Sequence, residues 1–286
     1  AYAEAGRVKN PDTGELMTLE DNWSAVSGSL RLLHPLTSDR RHTVYASVSQ
    51  GFRAPNLSDL TRLDIARSGE IETPSPDLDP EQYVAWEVGV KSRSKRFATQ
   101  ASCYFTQIDN MIVRTPTGRI IDDLAEVTKR NSGKGYIQGF ELSGTCHVTS
   151  QLSSWVSLSV MDGKVDAYPN SGSVKERDYI SRLMPPTAQL GVRWQTPVGR
   201  WWVEVLGDMA AKADKLSADD DRDTQRIPPG GTPGYAVCTL RTGARIVKDL
   251  NMVLAVENVF DEDYRIHGSG VNEPGRNLVL TADYAF

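Results

Sequence analysis

The side chains with the most familiar chemistry do not assemble into a catalytic set. His34, His42, His147 and His267 stand far apart, and none belongs to a zinc-binding HExxH run. Cys103, Cys146 and Cys238 are odd in number, widely separated and free of CxxC or Cys/His spacing. They suggest neither a zinc site nor a disulfide framework, and each reads as a small apolar residue within a strand. No GxSxG nucleophile elbow is present, and HGSGVNEPG, which starts at His267, lacks the GK[ST] of a phosphate loop. The acidic run DDDRD, with Asp219, Asp220, Asp221 and Asp223, could hold calcium through its oxygens. The competing reading is a solvated loop tip. These residues make no case for an enzyme, a cofactor or a resident metal.

The remaining candidates are charges set into alternating segments. In 83–91, Trp86, Val88 and Val90 oppose Glu87, Gly89 and Lys91. In 187–195, Ala188, Leu190, Val192 and Trp194 oppose Gln189, Gly191, Arg193 and Gln195. A period of two places the two sets on opposite faces of a β-strand. Glu87, Lys91, Glu141 and Arg193 are therefore expected on one polar wall. Arg53 is a candidate for an ion pair on that wall, as is Glu87. Twelve such segments recur: 1–8, 23–33, 43–50, 83–91, 97–105, 136–147, 153–162, 187–195, 201–209, 235–246, 252–260 and 276–286. Only 57–65, inside a loop, has a helical pattern.

Composition narrows the class. The chain has 286 residues, 39% hydrophobic, with a mean hydropathy of −0.40 and no apolar run long enough for a transmembrane helix. That leaves membrane strands open, because they are short and half polar. A net charge of −5 argues against a nucleic-acid partner. The chain starts at Ala1 with no signal-like segment, and it reads as a mature or truncated piece of something longer.

The final segment alternates strictly, with Leu278, Leu280, Ala282, Tyr284 and Phe286 on one face. Alone it fits an edge strand of a sandwich as well as the closing strand of a membrane barrel. The connections decide. Short links (92–96, 148–152, 196–200, 247–251) alternate with long ones (51–82, 106–135, 163–186, 210–234, 261–275). Short turns on one rim and long loops on the other is a barrel layout. Counted back from Phe286, every short link falls on the rim of the carboxyl terminus. Tyr284 and Phe286 are then expected to serve membrane assembly. Deleting Phe286 should reduce the heat-modifiable barrel in the outer membrane, and normal levels would contradict this.

Four stretches then carry a family resemblance. YASVSQGFRAPNLSDL, from Tyr45, resembles the FRAP-type motif of TonB-dependent outer-membrane receptors. ETPSPDLDPEQYVAWEVGVKS, from Glu72, resembles their NPDL-type motif and the strand after it. RNSGKGYIQGFELSG, from Arg130, resembles a third motif strand. VENVFDEDYRIHGSGVNEPGRNLVLTADYAF, from Val256, resembles the closing strand pair. The resemblance implies an all-β, transmembrane antiparallel barrel, here the carboxyl-terminal portion of a 22-stranded one. About twelve strands are present and the plug domain is absent from 1–286. It implies energy-coupled uptake of a scarce nutrient, with an iron–siderophore complex favoured by family frequency. Haem or cobalamin uptake, or a passive pore, is the alternative. The implied partners are outer-membrane lipid, TonB acting through the plug, and the barrel assembly machinery. Wall charges such as Arg53, Glu87, Lys91, Glu141, Arg193 and Arg276 would meet the plug or lumen water. His267 and Asn272 are ligand-loop candidates, although a lone loop histidine is more often solvated.

Overall fold

The computed structural model describes residues 2–9, 13–66, 69–169 and 172–285, so Phe286 lies outside the described residues. Sixteen strands and two short helices are present among them. Eleven strands form one antiparallel meander: β3 (Ser29–Pro35), β4 (His42–Arg53), β7 (Glu81–Arg93), β8 (Phe97–Ile121), β9 (Leu124–His147), β10 (Leu152–Ala167), β12 (Thr187–Gln195), β13 (Trp201–Ala210), β14 (Tyr235–Val247), β15 (Leu250–Glu257) and β16 (Asn277–Tyr284). Each pairs with its neighbour in this order, and no ladder among the described residues joins β3 to β16. A hairpin of β1 (Tyr2–Lys9) and β2 (Leu16–Asn22) stands apart from this sheet.

The ladders carry the alternation from strand to strand. Val44, Val90, Ala101, Leu142, Leu158, Ala188 and Met209 are successive cross-strand partners, forming one apolar row. Lys91, Gln100, Ser143, Ser157, Gln189 and Asp208 form a polar row on the other face. The apolar face stays bare. Trp86, Val88, Phe105, Leu190, Trp194, Val205, Leu278, Leu280 and Tyr284 are all exposed. A continuous exposed apolar surface of this extent is insoluble in water and needs another apolar medium.

The polar face has a device the sequence pattern hides. Tyr45, Tyr104, Trp155 and Trp202 each sit directly across the ladder from a glycine, Gly89, Gly139, Gly191 and Gly243 in turn. In all four pairs a Cβ on the glycine would overlap the ring. The glycine lets the ring lie over the neighbouring backbone, which restores apolar contact where a strand has no side chain.

Three expectations change. The segment 23–33 is strand only from Ser29. Trp23 leaves the ladder to join a buried cluster with Val8, Leu60 and Leu78, donating from Nε1 to the Leu78 carbonyl at 2.9 Å. The span 106–135 is a long hairpin rather than a loop, since β8 and β9 run on to a two-residue turn at Asp122 and Asp123, both with positive φ. Register shifts around Met111 and between Pro116 and Ile120 break the period of two there. The helical pattern of 57–65 shortens to α1 (Leu57–Thr61).

The short turns gather at one rim. The long connections at the other add α1, β5 (Asp64–Ile65), β6 (Ile71–Thr73), β11 (Glu176–Tyr179) and α2 (Ala218–Arg222). β6 lies parallel on β9, with Glu72 beside Val127 and Thr73 beside Thr128.

Candidate ligand site beneath the long loops

Ion pairs bind the long loops to one another and to the hairpin. Asn56 caps α1 by accepting from the Asp59 backbone N–H, and Asp59 returns the bond to the Asn56 N–H. The same carboxylate accepts from Arg53 Nη1 at 2.7 Å and Lys129 Nζ at 3.0 Å. Burial pushes the Asp59 carboxyl up, but bonds from Arg53, the Asn56 backbone and Lys129 outweigh it and hold it below its ordinary value. Arg53 also donates from Nε and Nη2 to the two oxygens of Glu81, each at 2.7 Å. Arg53 therefore ties β4 to α1 and β7, and it is ion-paired both to Glu81, its cross-strand neighbour on the wall, and to Asp59 of the loop helix.

Further out, buried Glu72 meets Lys129 at 3.2 Å and Arg62 at 3.6 Å. Glu70 accepts from Arg222 Nη2 at 2.5 Å and faces Arg114 Nη1 at 3.7 Å. Arg114 also pairs with Asp219. Across the β8–β9 hairpin, the Arg119 guanidinium holds the buried Glu126 carboxyl below its ordinary value.

Only part of the acidic run is a solvated tip: Asp221 is exposed, while Asp220 and Asp223 are buried. The run forms most of α2, capped by Ser217 through a box with Asp220. Asp220 is 2% exposed and accepts from Ser181 Oγ at 2.7 Å and the Arg182 N–H at 3.0 Å. Asp223 pairs with Arg182 and Arg226. These two carboxylates bind neighbouring loops instead of radiating into solvent. Among the described residues, no group of three or more His, Cys, Asp or Glu side chains is arranged to hold a metal ion.

The last loop, 258–276, closes against this assembly. His267 is buried, not solvated, with Nδ1 2.9 Å from Thr232 Oγ1. Burial pushes its imidazole below the ordinary value, and Arg182 adds to this while Asp220 opposes it. An opened loop would return His267 to about pH 6.5 behaviour, so the open state binds more protons below that pH. The closed loop is expected to lose stability as pH falls from about 6.5. Hydrogen exchange of 258–276, corrected for intrinsic rates, should rise between pH 7.5 and 5.5 in the native protein and rise less in His267→Gln. Asn272 bridges Arg265 and Asp263 within the loop. Arg276 does not stand on the wall. Its Nε donates to the Val259 carbonyl at 2.9 Å and its N–H to Asp261 Oδ1, which fastens the start of β16.

Four expected wall residues do share the polar face. Glu87 accepts from the Tyr45 hydroxyl at 2.5 Å, and Lys91 lies 5.2 Å from the centre of that ring. Glu141 is exposed between Ser102 and Ser159. Arg193 stacks on Trp202 at 3.9 Å and faces Glu204 at 3.7 Å. Cation and ring attract through the ring quadrupole.

Beneath the loops is a cavity of about 270 Å³. Its lining mixes apolar and aromatic side chains, Met111, Val127, Val165, Tyr168 and Tyr179, with the cations Arg114, Lys129 and Arg222 and the carboxylates Asp59, Glu70, Asp178 and Asp219. A concave hollow on which several polar groups converge is a form that small-molecule sites take, and this one is more charged than most. Arg114, Lys129, Glu70 and Arg222 were not legible as site residues, because their partners lie up to 152 positions away.

The bare apolar face and the unequal rims match a lipid-facing barrel wall. Residues 6–259 match the family described as TonB dependent receptor-like, beta-barrel. The chain belongs to this family. It is 25% identical over 290 residues to the catecholate siderophore receptor Fiu of Escherichia coli K12, covering 98% of this chain and 34% of that receptor. The chain thus spans about a third of the length of the curated relatives it matches. Copper transporter OprC superposes with a TM-score of 0.72 at 20% identity, over 97% of this chain and 41% of OprC. The ferric enterobactin receptor PfeA of Pseudomonas aeruginosa superposes with a TM-score of 0.71 at 21% identity, over 94% of this chain and 42% of PfeA. These two likenesses concern the fold. No helix among the described residues is long and apolar enough to cross a membrane. The β-strand wall with its exposed apolar face is consistent with an outer-membrane barrel. Membership of this family supports a non-enzymatic role for this segment.

Proposed function

We propose that residues 1–286 are the carboxyl-terminal part of the barrel domain of an energy-coupled importer in a Gram-negative-type outer membrane. In this reading the segment carries no plug. The cargo is an iron–siderophore complex taken up from outside through the long-loop rim. The observation that carries the reading is the cavity under the loops, whose lining brings Tyr168 and Tyr179 together with Arg114, Lys129 and Arg222. The tyrosines and cations suit an aromatic, negatively charged ligand once carboxylates that share the lining, Glu70 and Asp219 among them, are turned away. Family membership and the relative named a catecholate siderophore receptor support the same cargo class.

The apolar face would lie in lipid, and Glu87, Lys91, Glu141 and Arg193 would face a plug held in the lumen. TonB would act through that plug, and the barrel assembly machinery would insert the wall. The test is uptake of iron-55 complexes by cells whose only receptor is the full protein, with and without TonB. TonB-dependent uptake of a siderophore complex is expected. TonB-independent flux of small solutes would indicate a passive pore, and uptake of haem or cobalamin alone would reassign the cargo.

A further inference from the structure

The arginines of the cavity are already occupied. Glu70 lies between β5 and β6, Arg114 on β8 and Arg222 on α2, so one carboxylate joins three elements distant in sequence. Arg222 donates to Glu70 Oε1 at 2.5 Å, while Arg114 is divided between Glu70, at 3.7 Å, and Asp219. A guanidinium holds a pair of oxygens best as a two-pronged fork. Arg114 makes its close pair with Asp219 and only faces Glu70, whose close partner is Arg222.

Charge sharpens the point. Among the described residues the cavity is lined by three cations, Arg114, Lys129 and Arg222, and four carboxylates, Asp59, Glu70, Asp178 and Asp219. As it stands the lining is net negative by one, which opposes a polyanion. Asp59 is held by Arg53 and Lys129, and Asp178 accepts from the Ala218 N–H. Glu70 and Asp219 are the two held by the cavity arginines. Withdrawing Glu70 would neutralise the lining, and withdrawing both would make it net positive. Both arginine side chains are about 30% exposed, so an incoming group can reach them, whereas Glu70 is 5% exposed.

Resting on the iron–siderophore reading above, we propose that Arg114 and Arg222 are the pair that reads the ligand's charge. Glu70 is then a resident carboxylate that an oxyanion-bearing aromatic ligand must displace. The ligand class is a metal complex whose aryl oxygens keep net negative charge. Its rings meet Tyr168 and Tyr179, and its oxygens take the Arg222 guanidinium that Glu70 gives up and the Arg114 guanidinium beside it. Because Glu70 also links the β5–β6 segment to α2, its displacement removes one tie between those two loops. Neutral complexes gain nothing from the exchange, so the arginine–Glu70 set acts as a charge filter.

The test uses the full protein in outer membranes and three probes: iron(III) tris-catecholate of charge −3, a neutral iron(III) tris-hydroxamate, and inorganic tripolyphosphate. Glu70→Gln should bind the anionic iron complex at least fivefold tighter, with the neutral complex unchanged within twofold. Arg114→Gln and Arg222→Gln should each weaken the anionic complex at least tenfold and spare the neutral one. Unchanged neutral binding guards against misfolding. Tripolyphosphate separates the two readings. If neither iron complex binds but tripolyphosphate binds Glu70→Gln more tightly than the native protein, the iron reading falls and the displaced carboxylate stands. The proposal is overturned if Glu70→Gln weakens anion binding as the arginine variants do, if all complexes shift alike, or if no anion binds Glu70→Gln.

Discussion

Gly191→Val is expected to remove most of the folded protein from the outer membrane. Gly191 sits mid-strand in β12, directly across from Trp155 of β10, and its other neighbour is Leu206 of β13. A Cβ there would overlap the indole of Trp155, and valine would drive two further methyl groups into the same ring. The clash cannot be relieved by a small backbone shift, because Gly191 is laddered on both sides. Overpacking of a fixed site costs about 1–3 kcal/mol and occasionally more, and a ring held against backbone belongs at the upper end. The readout is the fraction migrating as a compact barrel before heating. Trp155→Ala should restore much of that fraction in the Gly191→Val background, because the two changes share one contact. A native level of folded Gly191→Val, or no rescue by Trp155→Ala, would show that the ring does not depend on the glycine.

The second large effect is expected at Glu81. Its side chain is 3% exposed and receives Arg53 through both oxygens, the Ile112 N–H at 2.9 Å and the Tyr83 hydroxyl. Glu81→Ala removes all of these acceptors together. Breaking a buried pair from one side costs about 3–5 kcal/mol. The Arg53 side chain is 39% exposed and keeps Asp59, so water recovers part of that and about 2–3 kcal/mol is the better expectation. The loss should be local. Arg53 is the link between β4 and α1, so hydrogen exchange should rise across 54–80 and at the base of the β8–β9 hairpin, while the far strands keep their protection. Glu81→Gln should lose less, because the amide oxygen still accepts from Arg53. Equal exchange in Glu81→Ala and the native protein would refute the hub.

The wall was legible because its signal is local. Residues 187–195 are a strand end to end, as their alternation predicts, and the ladders put the expected apolar and polar sets on opposite faces. Where two long segments meet at a bulge, the signal fails. Pro116 and Gly118 read as a loop, yet β8 and β9 continue through them to Asp122 and Asp123 because cross-strand pairing outweighs local turn preference. The glycine–ring pairs were half legible. Gly89 and Gly191 were placed on the polar face, but a glycine in a strand does not say which ring will cover it. The acidic residues of 219–223 were visible as charge, while their inward turn follows from Ser181, Arg182 and Arg114, which lie on other strands and loops.

The sequence by itself determined the β class, the two faces, the two rims and the family, because a period of two and short motifs are properties of neighbouring residues. Only the tertiary structure decided the site. Arg53 met Glu81 and Asp59, Arg276 fastened a loop instead of lining the wall, and His267 turned inward. Which opposite charges meet is set by where the loops fold back over the sheet. Charge pairing is non-directional and reaches across any chain separation, so spacing along the sequence carries no trace of it.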